Sequence, residues 1–156
     1  MELANPITVV TGHEMLTCIF GRWPSFHDAE VVDLAIWRGD VDPDRKKYTF
    51  PVLTAKILVN ELVPEQTNES RLRIVPQAHV TFRFYDVDDL KLDGFNHVNQ
   101  IVGLSFAIQP RGSFTDGSEL QPYIVVEFQR GFGIAASFKC FRVEVVDVTP
   151  YQADPL

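Results

Sequence analysis

Polar and apolar residues alternate along most of this chain with a period of two, which predicts β-strands. Leu53/Ala55/Ile57/Val59 and Ala78/Val80/Phe82/Phe84 each line one face of an extended run, and Val32/Leu34/Ile36, Val102/Leu104/Phe106/Ile108 and Ile124/Val126/Phe128 repeat the pattern. Residues 134–148 change parity, from Ile134/Ala136/Phe138/Cys140 to Phe141/Val143/Val145, and this predicts a β-bulge near Cys140. Leu90 and Leu92 suggest a further short strand. Turn signals separate the runs: Arg38-Gly39-Asp40, Asp93-Gly94, Asp116-Gly117 and Gly131-Phe132-Gly133.

At one place the period becomes helical. Thr11-Gly12-His13-Glu14 fits a capping box, and Met15, Leu16, Ile19 and Phe20 form a single apolar stripe, predicting a helix over 12–20. Gly21 is placed to end it in a left-handed conformation. These elements predict a mostly β fold: an antiparallel β-sandwich or open barrel of six to eight strands with one short N-terminal helix. No repeat or linker divides the pattern, so residues 1–156 read as a single β-rich domain. Residues 39–47, with Asp40, Asp42 and Asp44 ahead of Arg45-Lys46-Lys47, and residues 64–71 read as solvent-facing loops.

Charge narrows the partner. The 156 residues hold 14 Lys and Arg against 21 Asp and Glu, a net charge of −7. Such a surface repels nucleic acid and anionic membranes and steers in a basic partner. The two cysteines, Cys18 and Cys140, form no CxxC and read as reduced core thiols. Glu2 stands in the first six residues with no Lys or Arg, and no apolar run reaches eighteen residues. The expectation is therefore no signal peptide, no membrane span and a cytoplasmic protein.

The sequence carries no GxGxxG, GxxxxGK[ST], HExxH or GxSxG string and no spaced Cys/His set, so neither a cofactor nor a resident metal is indicated. Two polar clusters remain. Trp23-Pro24-Ser25-Phe26-His27-Asp28-Ala29-Glu30 follows the helix. In an extended chain His27 and Ala29 would point one way and Asp28 and Glu30 the other, so a metal or acid–base site would need His79 or His97 as well. A packing role reads as well from the same residues, with Trp23 and Phe26 buried under the helix and His27 and Asp28 satisfying backbone groups. In the second cluster, Tyr85 precedes Asp86, Asp88 and Asp89, which lack the order of a calcium-binding EF-hand. This is either a solvated turn or a negative patch for a cationic partner.

The string Gly21-Arg22-Trp23-Pro24-Ser25-Phe26-His27-Asp28-Ala29-Glu30-Val31 is followed by Asp88-Asp89-Leu90-Lys91-Leu92-Asp93-Gly94-Phe95-Asn96-His97-Val98-Asn99-Gln100-Ile101. Together they resemble immunity protein family 50, bacterial proteins of the polymorphic-toxin systems. The lengths before, between and after the strings are similar too. The resemblance implies a mostly β fold and a cytoplasmic antidote that binds a cognate toxin domain; it implies no catalytic residue. On this reading Trp23, His27, Asp28, Glu30, Tyr85, Asp86, Asp88 and Asp89 are the candidate partner-binding residues, acting by steric and electrostatic occlusion of a basic toxin. A homodimer is left open. The competing expectation is a β-barrel binding a small ligand or metal, or an enzyme using His27 with Asp28 or Glu30.

Overall fold

The computed structural model describes residues 1–44, 47–60, 62–64, 72–74 and 77–151. In chain order its elements are β1 (Glu2–Leu3), α1 (Pro6–Val9), β2 (Val10–Thr11), α2 (Glu14–Phe20), β3 (Glu30–Trp37), β4 (Val41–Asp42), β5 (Lys47–Tyr48), β6 (Val52–Val59), β7 (Leu62–Pro64), β8 (Leu72–Ile74), β9 (Ala78–Tyr85), β10 (Asp88–Asp93), β11 (Gln100–Gln109), β12 (Tyr123–Phe132), β13 (Ala135–Cys140) and β14 (Arg142–Pro150). The fold is mostly β, as the alternation requires.

The expected six to eight strands in a sandwich or barrel give way to one open sheet of ten strands. Its order is β10-β13-β12-β11-β3-β6-β9-β14-β2, with β1 added beside β11. Two-residue strands such as β1 and β2 are too short to show a period, which is why counting alternating runs falls short. Ribbons β4–β5 and β7–β8 stand apart from the sheet. The first falls in the expected 39–47 loop, where Asp40 and Asp44 are exposed. Of the expected 64–71 loop, residues 65–71 lie outside the described residues, as do Arg45 and Lys46.

One apolar cluster holds the sheet together. Leu53, Ala55, Ile57 and Val59 of β6 and Ala78, Val80, Phe82 and Phe84 of β9 are all buried, as the strict alternation predicts. On β3 and β11 the phase slips. Bulges between Val31 and Asp33 and between Ile101 and Gly103 bury Val31 and Ile101 and leave Val32 and Val102 exposed. No bulge marks Cys140. The parity changes there because Phe141 alone joins β13 to β14, strands far apart in the sheet order, and its N–H is taken by the Tyr85 carbonyl at 3.0 Å.

The helix expected over 12–20 begins at Glu14. Thr11 does not cap it, because its backbone is spent in β2, paired with Glu144 of β14, and the chain then turns through left-handed Gly12. Leu16 and Phe20 are buried as expected, Met15 is exposed, and Gly21 closes the helix at φ 77° with its N–H on the Thr17 carbonyl. A second short helix, α1, was not foreseen; Asn5 caps it by accepting the Ile7 N–H at 3.1 Å. Among the described residues no helix is long and apolar enough to cross a membrane.

Candidate functional site

The two sequence strings meet in space. Gln100 at the start of β11 pairs with Glu30 at the start of β3. Around that pair Asp28 N–H donates to the Ile101 carbonyl at 3.0 Å, Ile101 N–H to Ala29 at 2.9 Å, and Val31 N–H to Asn99 at 2.9 Å. This corner is where the four strands β10 to β11 join β3, β6, β9 and β14. Phe26 and Asp28 sit at φ 60° and 63°, so the segment is not extended and the two-faced reading of residues 27–30 fails.

Most of the corner faces inward. Pro24, Phe26 and Ala29 are buried. Trp23 is half-buried, its ring 5.6 Å from Phe26, 6.1 Å from Phe82 and 6.2 Å from Phe106. Asn99 is the one buried polar side chain among the described residues. Its Oδ1 accepts the Asn96 N–H at 2.7 Å and its Nδ2 donates to the Asn96 carbonyl at 2.6 Å, closing the loop after β10. Arg130 ties the same loop down, donating Nε to the Gly133 carbonyl at 3.0 Å and pairing with Asp93.

His27 and Asp28 reach solvent, as do Arg22 and Ser25. The His27 and Asp28 side chains are 64% and 58% exposed, with Nδ1 and Oδ2 at 3.2 Å. Glu30 turns away from them to accept the Asn99 N–H at 3.4 Å. Glu30 is thus engaged apart from the His27–Asp28 pair, which stands in water. His97 lies against its neighbour Asn96, and His79 stands edge-on to Tyr151 at 5.5 Å. Burial, then the charge of Lys56, hold His79 below its ordinary range. Among the described residues no three His, Cys, Asp or Glu side chains converge to hold a metal ion.

Tyr85 and its aspartates occupy the other end of the same strands. Glu30 pairs with Leu58 and Leu58 with His79, whereas Trp37 pairs with Val52 and Val52 with Tyr85. Six residues separate the two rows along β6 and β9, which puts the two groups about 20 Å apart at ~3.3 Å per residue. The eight candidates thus form two separate sites. At the Tyr85 end Val87 N–H donates to the Pro51 carbonyl at 2.9 Å, and Asp40 N–H donates to Thr49 Oγ1 at 2.5 Å. These bonds bring the Asp86–Asp89 turn and the Asp40–Asp44 loop to one end of the sheet. Asp86 and Asp89 adopt φ 61° and 53°.

Reading the sequence alone missed Trp37, which is 53% exposed beside this turn. With Ala35, Ile36, Val52, Thr54, Arg83 and Tyr85 it lines a depression of about 430 Å³. Its position at the end of an apolar run, just before an acidic loop, was a usable signal; the register that sets it beside Tyr85 was not. Arg142 lies over the Tyr85 ring at 3.9 Å and pairs with Glu144 at 2.9 Å. A depression of about 720 Å³ lies along β10 and β13, lined among others by Lys91, Asp93, Glu127 and Arg130. Neither depression includes His27, Asp28 or Glu30.

No curated protein and no solved structure matches this chain. A protein-family model does match, that of Immunity protein 50, over residues 12–151. The match contains both sequence strings, the corner they build, and every strand of the large sheet except β1 and β2. The chain belongs to the immunity protein 50 family.

Proposed function

We propose that this chain is a cytoplasmic antidote that binds its cognate toxin domain and covers the toxin's active site or substrate groove, without turnover of its own. The observation that carries the reading is the convergence of the Asp40–Asp44 loop and the Asp86–Asp89 turn at one end of the sheet, on a chain of net charge −7. Asp40, Asp44, Asp86, Asp88 and Asp89 make no ion pair with any described residue, so their charge is available to a basic partner such as a nuclease. Such charges raise the encounter rate, while desolvated anchors set residence time.

The test is co-expression with the toxin domain encoded beside this chain's gene. Cells making that domain survive when this chain is co-produced, and the purified pair co-elutes. Loss of viability at equal expression, or failure to co-elute, overturns the reading.

A further inference from the structure

We propose that the toxin docks on the outer face of β3, β6, β9 and β14 around Trp37, Val52 and Tyr85, and that residues 23–31 serve the fold. The inference rests on the immunity reading above and assigns its contact surface.

Trp37, Val52, Tyr85 and Arg142 are consecutive partners across four strands, so their side chains form one row on one face. The opposite face of β6 and β9 is the filled core. Trp37 is 53% exposed, and nearby Phe50 is 65% exposed. Trp, Tyr and Arg are the residue types that most often anchor interfaces, here grouped around a depression of about 430 Å³.

Charge selects the occupant. Arg142 is engaged by Glu144 and the Tyr85 ring, and Arg83 lies in the depression itself. The carboxylates of Asp86, Asp88 and Asp89 at the rim have no such partner among the described residues. The complement is a basic protein surface carrying an apolar side chain for the depression. The corner at residues 23–31 offers far less: Pro24, Phe26 and Ala29 are buried, and its exposed pair, His27 and Asp28, is already satisfied.

The experiment is surface-captured kinetics of the intact chain against a catalytically inactivated form of the toxin domain encoded beside its gene. Trp37→Ala and Tyr85→Ala should each speed dissociation roughly tenfold or more, with association changed less than about twofold. His27→Ala and Asp28→Asn should change neither rate. Thermal melts confirm that each variant is folded. Hydrogen exchange on the wild-type complex should show protection at residues 35–37, 50–54 and 83–87 and none at 25–30. Two results overturn the assignment while leaving the immunity reading intact: wild-type binding that Trp37→Ala leaves unchanged, or binding that His27→Ala or Asp28→Asn weakens. A free chain that is dimeric, and made monomeric by Trp37→Ala, overturns it in favour of a self-interface. Wild-type chain that does not bind removes both readings.

Discussion

Phe84 of β9 and Phe138 of β13 stand edge-to-face, centroids 4.9 Å apart at 80°, although four strands lie between β9 and β13 in the sheet order. Phe84 also lies 6.1 Å from Phe128 of β12. The sheet therefore curls until its two halves share one core, and these rings are the contact across it. Phe138→Ala should destabilise by about 3–5 kcal/mol, as truncation of a fully enclosed ring. A double-mutant cycle with Phe84→Ala, read in urea, should give coupling of about 0.5–1.5 kcal/mol; additive losses would mean that the halves do not support each other.

Trp23 touches Phe26, Phe82 and Phe106 but keeps part of its surface in water. Trp23→Ala should cost about 2–3 kcal/mol, slightly less than for a fully buried ring. A urea midpoint that hardly moves would contradict the packing role.

Asn99 satisfies both backbone groups of Asn96 from a buried position. Asn99→Ala should cost about 2 kcal/mol, and Asn99→Asp should not restore it, because a carboxylate cannot donate to the Asn96 carbonyl. Gly133→Ala should be worse than either: Gly133 sits at φ 77° and its Cβ would strike the Val98 carbonyl oxygen. Chemical denaturation ranks the three variants directly.

How much of this was legible depended on how regular each strand is. β6 and β9 lie side by side near the middle of the sheet, so one face of each is buried along its whole length and the alternation reads cleanly. β3 and β11 carry bulges, and a one-residue slip moved Val32 and Val102 from the expected inner face to solvent. At the candidate site, the left-handed backbone at Phe26 and Asp28 broke a parity argument that assumed extended chain. That His27 and Tyr85 lie at opposite ends of the same strands is a matter of register between segments distant in sequence, which no local pattern encodes.

Replacing Asp86, Asp88 and Asp89 together by Asn should lower the association rate with the toxin domain and flatten its salt dependence, with a smaller effect on dissociation. Kinetics at low and physiological ionic strength separate the two effects. Salt-independent binding, or rates identical to wild type, would reduce the Asp86–Asp89 segment to a solvated turn.

The cysteines should behave differently from each other. Cys18, expected in the core, is exposed, whereas Cys140 is buried as expected. Burial, helped by the Asp86 carboxylate and opposed by a hydrogen bond from the Arg142 backbone, pushes the Cys140 thiol up to about 12. Near pH 8 a thiol reagent should modify Cys18 rapidly in the native protein and reach Cys140 only on unfolding, as mass spectrometry of the labelled chain would show. Fast native labelling at Cys140 would mean that the core opens far more readily than its packing implies.

The parallel pairing of Val10 with Val143 governs when the molecule becomes whole. Nearly the entire described chain is synthesised between the two partners, which at ~5–20 residues per second is an interval on the order of ten seconds. Until β14 emerges, β2 has no neighbour and the outer edge of β9 stays open. β2 therefore waits as a lone ribbon through almost the whole of synthesis, and the sheet closes only when its last strand arrives.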